Sequence, residues 1–119
     1  MSSSGGLRTT LPSLTLTGAL GLPTVAKAAN YAMGAADFDV LVTTGAGAVT
    51  INPPNPAATG RLVAVKKVDA GAGAVAVTPL AGTLDGAASQ SLAAQNHGML
   101  IQFDGANWFT VAEIAPTIL

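Results

Sequence analysis

Residues 99–114 read Met-Leu-Ile-Gln-Phe-Asp-Gly-Ala-Asn-Trp-Phe-Thr-Val-Ala-Glu-Ile. Two short runs, 99–103 and 108–112, flank Asp104-Gly105. That dipeptide suits a tight hairpin, because a type I′ turn needs positive φ at both central positions. Both runs are apolar on each side. Met99, Ile101 and Phe103 share one side with Leu100 on the other, while Trp108, Ala112 and Ile114 share a side opposite Phe109 and Val111. A sheet with one wet face alternates cleanly between apolar and polar. The expectation is a strand pair whose second face is covered, by another sheet of the chain or by a neighbouring subunit. A chain of 119 residues has little room for two full cores, which favours the neighbour.

The same texture extends upstream. Residues 38–44, 49–52, 62–68 and 75–78 read as strands, with Gly-containing breaks between them and Pro53-Pro54 stopping one ladder. Short strands at this spacing predict an all-β fold, a small antiparallel sandwich or barrel of jelly-roll type. Asp85-Gly86 is a second hairpin signal, and residues 69–73 read as a looser hairpin connection. The best helix candidate is 87–96, weakened by Ser89, Gln90 and Ser91. One internal echo stands out: Gly45-Ala46-Gly47-Ala48-Val49-Thr50-Ile51-Asn52-Pro53 resembles Gly71-Ala72-Gly73-Ala74-Val75-Ala76-Val77-Thr78-Pro79. A solenoid needs at least three stacked units, so two similar but independent hairpins are expected.

Composition shifts near Asn30. The reading is an extended N-terminal arm over 1–30, a β-domain over 31–114 and a tail over 115–119. The arm is uncharged from Thr9 to Ala26 and rich in Leu, yet Pro12, Gly18, Gly21 and Pro23 interrupt it. A proline in a helix interior costs roughly 3 kcal/mol, so a membrane-spanning helix is rejected. Arg8, the apolar stretch 11–25 and Ala26-Lys27-Ala28 form a loose signal-peptide pattern, diluted by Thr and Pro. Leu14-Thr15-Leu16-Thr17 alternates with period two, which suits strand addition to a sheet edge or a lie in a groove.

Half the residues are hydrophobic, only 9% are charged, and the formal net charge is −1. Soluble domains carry roughly 25% charged residues, so much of this surface is not built to face water. Nucleic acid is excluded as the main partner for want of a basic face, and an anionic membrane finds little to hold. The chain has no cysteine and one histidine. Thiolate chemistry is therefore absent, no zinc set can be assembled from one chain, and His97 reads as a turn or surface residue rather than the base of a triad. The expectation is no enzyme, no cofactor and no metal. Asp37, Asp39, Asp69, Asp85 and Asp104 read as turn residues that bond nearby N–H groups. Lys66-Lys67 breaks the strand alternation. Either one lysine points inward, sits at a strand end or meets a neighbour's acid, or the pair is a solvated edge that blocks strand pairing.

Within 31–111, four segments carry a family resemblance: Gly60-Arg61-Leu62-Val63-Ala64-Val65-Lys66-Lys67-Val68-Asp69, Val75-Ala76-Val77-Thr78-Pro79, Gly82-Thr83-Leu84-Asp85-Gly86 and Phe103-Asp104-Gly105-Ala106-Asn107-Trp108-Phe109. Together they resemble a recurrent β-domain of tailed-bacteriophage virion proteins, found in tail fibres, tail spikes and small head proteins. Here the domain is nearly the whole chain and carries an arm instead of a fibre shaft, so it is most similar to capsid decoration, or cement, proteins. The resemblance implies a homotrimer on the capsid surface of the virion that binds the major capsid protein. The expected capsid-binding residues are Leu11, Leu14, Leu16, Leu20 and Leu22; the expected oligomer interface is Leu100, Trp108, Phe109 and Val111. The alternatives are a tail-fibre or receptor-binding module, whose loop 82–88 contacts a cell-surface glycan, and a secreted bacterial β-domain.

Overall fold

The computed structural model describes residues 12–115, and every regular element among them is a strand. In chain order these are β1 Thr24–Lys27, β2 Tyr31–Ala32, β3 Asp39–Val42, β4 Val49–Asn52, β5 Leu62–Lys67, β6 Val75–Val77, β7 Gln90–Leu92, β8 Gly98–Phe103 and β9 Trp108–Ile114. They form a five-stranded sheet, β1-β3-β5-β8-β9, and a four-stranded sheet, β2-β4-β6-β7. The expected all-β fold is what the chain builds.

The pairing is mixed where antiparallel pairing was expected. Strands β1, β3 and β5 are mutually parallel, and so are β2, β4 and β6. Only β5–β8, β8–β9 and β6–β7 are antiparallel. The reason is connectivity: from β1 to β6 the chain changes sheet after every strand. A strand's sheet neighbour is then two elements away and runs the same way. Residues 69–73, expected to be a hairpin connection, instead carry the chain from β5 in one sheet to β6 in the other.

The internal echo is part of this coil. Val49 pairs with Val75, Thr50 with Ala76 and Ile51 with Val77. The two copies lie side by side as successive coils, contrary to the expectation of independent hairpins. Their glycines permit the contact. The Gly73 N–H donates to the Gly45 carbonyl at 3.0 Å, and a Cβ on Gly73 would overlap the Gly47 carbonyl, as one on Gly71 would overlap that of Gly45. Backbone stacked this closely leaves no room for a side chain.

Between the sheets lies a core of short β-branched residues. Val40, Val42, Val63, Val65 and Ile101 come from one sheet, and Val49, Ile51, Val75 and Val77 face them. Met33, Leu84, Leu92, Met99 and Trp108 complete it. Branching at Cβ fills a pleated surface well.

Two turns complete the frame. Asp85 and Gly86 have φ of 54° and 82°, and Leu84 bridges Ala87, which is the expected tight turn. At Asp104-Gly105 only Gly105 has positive φ. The β8–β9 hairpin closes over 104–107 instead, with the Asp104 carboxylate accepting from the Ala106 and Asn107 N–H groups at 2.8 and 2.7 Å.

Two further expectations are corrected. Residues 87–96 hold strand β7, not a helix, because Leu92 is drawn into the core opposite Val75. The expected arm over 1–30 includes β1, which pairs with β3.

Candidate docking surface

Lys66 and Lys67 settle first, because they divide the inside of the five-stranded sheet from its outside. Lys67 follows Val63 and Val65 on the inner face and is 0% exposed. Its Nζ donates to Thr44 Oγ1 at 2.7 Å, Asp69 Oδ1 at 3.0 Å and the Gly71 carbonyl at 2.9 Å. Asp69 in turn accepts from the N–H groups of Thr44, Gly45 and Gly71. Those donors, Thr44 and Gly45 first, with the Lys67 ammonium, hold its carboxyl well below its ordinary value of 3.8. The cluster staples the turn after β3 to the turn after β5, the same corner at which the echoed glycines stack. Of the readings open for the lysine pair, the inward one holds. With all three ammonium protons donated inside the chain, Lys67 has none left for a substrate.

The other aspartates also serve turns. Asp37 accepts from the Gly34 N–H and the Tyr31 hydroxyl at 2.8 and 2.5 Å, contacts that lower its carboxyl and raise the phenol. Asp85 accepts from the Thr110 N–H and hydroxyl. Asp39 differs. It lies on the outer face, where burial raises its carboxyl against the opposing pull of Lys66. His97 Nε2 sits 2.6 Å from Glu113 Oε2. Among the described residues no group of three metal-ligating side chains converges.

The outer face of the five-stranded sheet can be read from register, since cross-strand partners share a face. One row runs Asp39, Ala64, Leu100, Ala112; the next runs Leu41, Lys66, Gly98, Ile114; a third runs Leu62, Gln102, Phe109. Phe109, Val111 and Ile114 are exposed, at 43%, 51% and 67%, and Leu100 is half-buried. Trp108, expected at the interface, is corrected to a core residue. It is 2% exposed and its ring lies 5.0 Å from that of Phe103. The sequence also put Ala112 and Ile114 on Trp108's side. A β-bulge changes that: Ile101 pairs with Thr110 and Leu100 with Ala112, leaving Val111 without an opposite number. An extra residue shifts the strand's phase by one, which turns Ala112 and Ile114 outward. Leu41, Leu62, Ala112 and Ile114 are therefore members of the face that strand alternation alone missed. The available signal was the unbroken apolar run 40–42, which leaves one side of β3 no polar residue but Asp39.

The arm brings a second apolar surface. Leu14, Leu16, Leu20 and Leu22 are all exposed, Leu14 at 70%; Leu11 lies outside the described residues, as do 116–119 of the expected tail. Leu14, Leu20, Leu22 and Pro23 face Ala35, Ala36, Phe38 and Leu62 across a cleft of about 520 Å³. Arg61 closes part of it and donates to the Asp37 carbonyl. A smaller cavity of about 310 Å³ opens beside Thr59, Gln102, Phe109 and Val111.

Comparison with protein-family models and with curated proteins finds no match to this chain. What the arrangement offers chemically is apolar contact: a sheet face and an arm, both rich in exposed aliphatic carbon, on a body whose charged groups mostly bond one another or the backbone.

Proposed function

We propose that this chain is a structural virion protein that decorates a bacteriophage capsid, binding the major capsid protein as an oligomer, most simply a homotrimer. One observation carries the reading: a compact β-body holds out an arm whose four leucines, Leu14 to Leu22, are exposed. Burying one leucine is worth about 1.5–3 kcal/mol, so an arm laid in a groove of the shell gains several such increments. Pro12 and Pro23 bracket the segment and limit the conformations it loses on docking. An oligomer engages several arms at once, and the later ones bind from a high effective concentration. The work done is mechanical, clamping neighbouring shell subunits against internal pressure. The phage assignment itself leans on the sequence resemblance.

The test is co-sedimentation of the full chain with purified phage capsids. The variant Leu14→Ser/Leu16→Ser/Leu20→Ser/Leu22→Ser is expected to lose roughly tenfold or more in affinity, the equivalent of about 1.4 kcal/mol. Undiminished capsid binding by that variant would overturn the proposal. Glycan contact through loop 82–88, the receptor-binding alternative, would be indifferent to the arm.

A further inference from the structure

We propose that the outer face of β8 and β9 is the surface through which copies of this chain meet one another. The inference gives a location to the oligomer in the reading above and rests on that reading only for the need to bring several arms together.

Apolar exposure on the outer face is lopsided. The β1–β3 side carries Thr24, Ala26, Asp39 and one half-buried leucine, Leu41, whereas the β8–β9 side carries Leu100, Phe109, Val111, Ala112 and Ile114. The two edges of the sheet differ as well. Natural sheets guard exposed edges with proline and lysine. Strand β1 is preceded by Pro23 and ends at Lys27. Strand β9 contains neither residue; its outer edge is met at Trp108 by Thr83 and Asp85 and at Thr110 by the Asp85 carboxylate, and beyond Thr110 no strand among the described residues pairs with it. The bulge at Val111 and the charge of Glu113 guard the rest of that edge only lightly, and an edge strand carrying Val111, Ala112 and Ile114 is a hazard unless something covers it.

Charge points to a second copy as the cover. A patch that meets itself brings like groups together, so it must carry no unbalanced charge. The outer rows hold one acid, Asp39, and one base, Lys66, close enough that the ammonium pulls against the burial of the carboxyl. The only charged residue of β9, Glu113, lies against His97 of the same chain. Relief fits too. Ala64, Gly98 and Ala112 form low ground beside the ridges of Leu100, Phe109 and Ile114, and the cavity at Phe109 and Val111 has room for a neighbour's side chain. Two strands about 4.8 Å apart and about 20 Å long give roughly 200 Å² of flat area, and even the whole five-stranded face gives only roughly 400–500 Å². A standard interface buries about 800 Å² per partner, so association through this face is concentration-dependent.

The chain has no cysteine, which makes the test clean. Full-length Ala112→Cys is treated with a short bismaleimide, and Ser91→Cys, exposed on the other sheet, is the control. Wild type, Phe109→Asp and Val111→Lys are followed by sedimentation velocity from about 1 to about 100 μM, a span that brackets micromolar affinities. The expected results are a covalent oligomer from Ala112→Cys alone, wild-type mass rising with concentration, and monomer throughout for both charge variants. A wild type that stays monomeric, equal cross-linking from both cysteines, or charge variants that keep the wild-type mass would overturn the inference. Capsids are absent from this experiment. A chain that assembles but ignores capsids loses only the decoration role, and one that binds capsids as a monomer loses only this interface.

Discussion

Trp108 and Phe109 are neighbours in the chain and opposites in the fold: the indole is sealed in the core and the phenyl ring is 43% exposed. Strand geometry makes that division unavoidable, since successive side chains point to opposite faces. The two faces of the five-stranded sheet then diverge. The inner face is complete, and even its one fully buried lysine donates three hydrogen bonds. The outer face has the same aliphatic character at Leu41, Leu100 and Ile114, but no second sheet among the described residues packs on it. The inner face stabilises the fold; the outer one is the face proposed to meet a second copy.

That contrast can be broken by measurement. Trp108→Ala is expected to cost about 3–5 kcal/mol in denaturant unfolding, as large-to-small core changes do. Phe109→Ala, at a dilution where the chain is monomeric, is expected to stay within about 0.5 kcal/mol of wild type. Equal losses at the two positions would dissolve the distinction between the faces. The lysine pair repeats the comparison: Lys67→Ala breaks a buried pair and is expected to cost about 3 kcal/mol, whereas Lys66→Ala on the outer face changes stability little.

The stacked corner gives a third pair. Gly73→Ala forces two backbones apart and is expected to cost about 1–3 kcal/mol. Gly47→Ala, with open space around its Cβ position, is expected to be near neutral. The fourth comparison is read from a pH dependence that is flat near neutrality and appears in acid. The Asp69 carboxyl is lowered in the folded chain, so the unfolded chain takes up the proton first as pH falls. Its stabilising contribution is full above the ordinary value of 3.8 and is lost progressively below it. In urea titrations the gap between wild type and Asp69→Asn is therefore expected to be constant from about pH 5 to pH 7 and to narrow below about pH 4.

Much of the strand content was legible because β-branched runs such as 62–67 and 75–77 carry their own signal. Strand β7 was not. Gln90-Ser91-Leu92 has a single apolar residue, and its strand form comes from pairing with β6. Parallel pairing was hidden for a related reason: local sequence specifies a strand, but not which sheet the chain enters next. The echo of Gly45 and Gly47 in Gly71 and Gly73 was visible, yet its meaning depended on register. On the surface, alternation separated Phe109 and Val111 from Trp108 correctly, but it could not say which side was core, and the bulge at Val111 hid Ala112 and Ile114. The arm's exposed leucines were legible outright, since prolines and threonines left them no helix to join.

The central claim is that the outer face is covered by companions while the inner face is not in play. Amide hydrogen exchange of the full chain, followed as concentration rises from about 1 to about 100 μM, tests it most directly. The account predicts that amides of β9 become slower to exchange with concentration while those of Val63 and Val65 in β5 stay uniformly slow. Exchange in β9 that is identical at every concentration would contradict it.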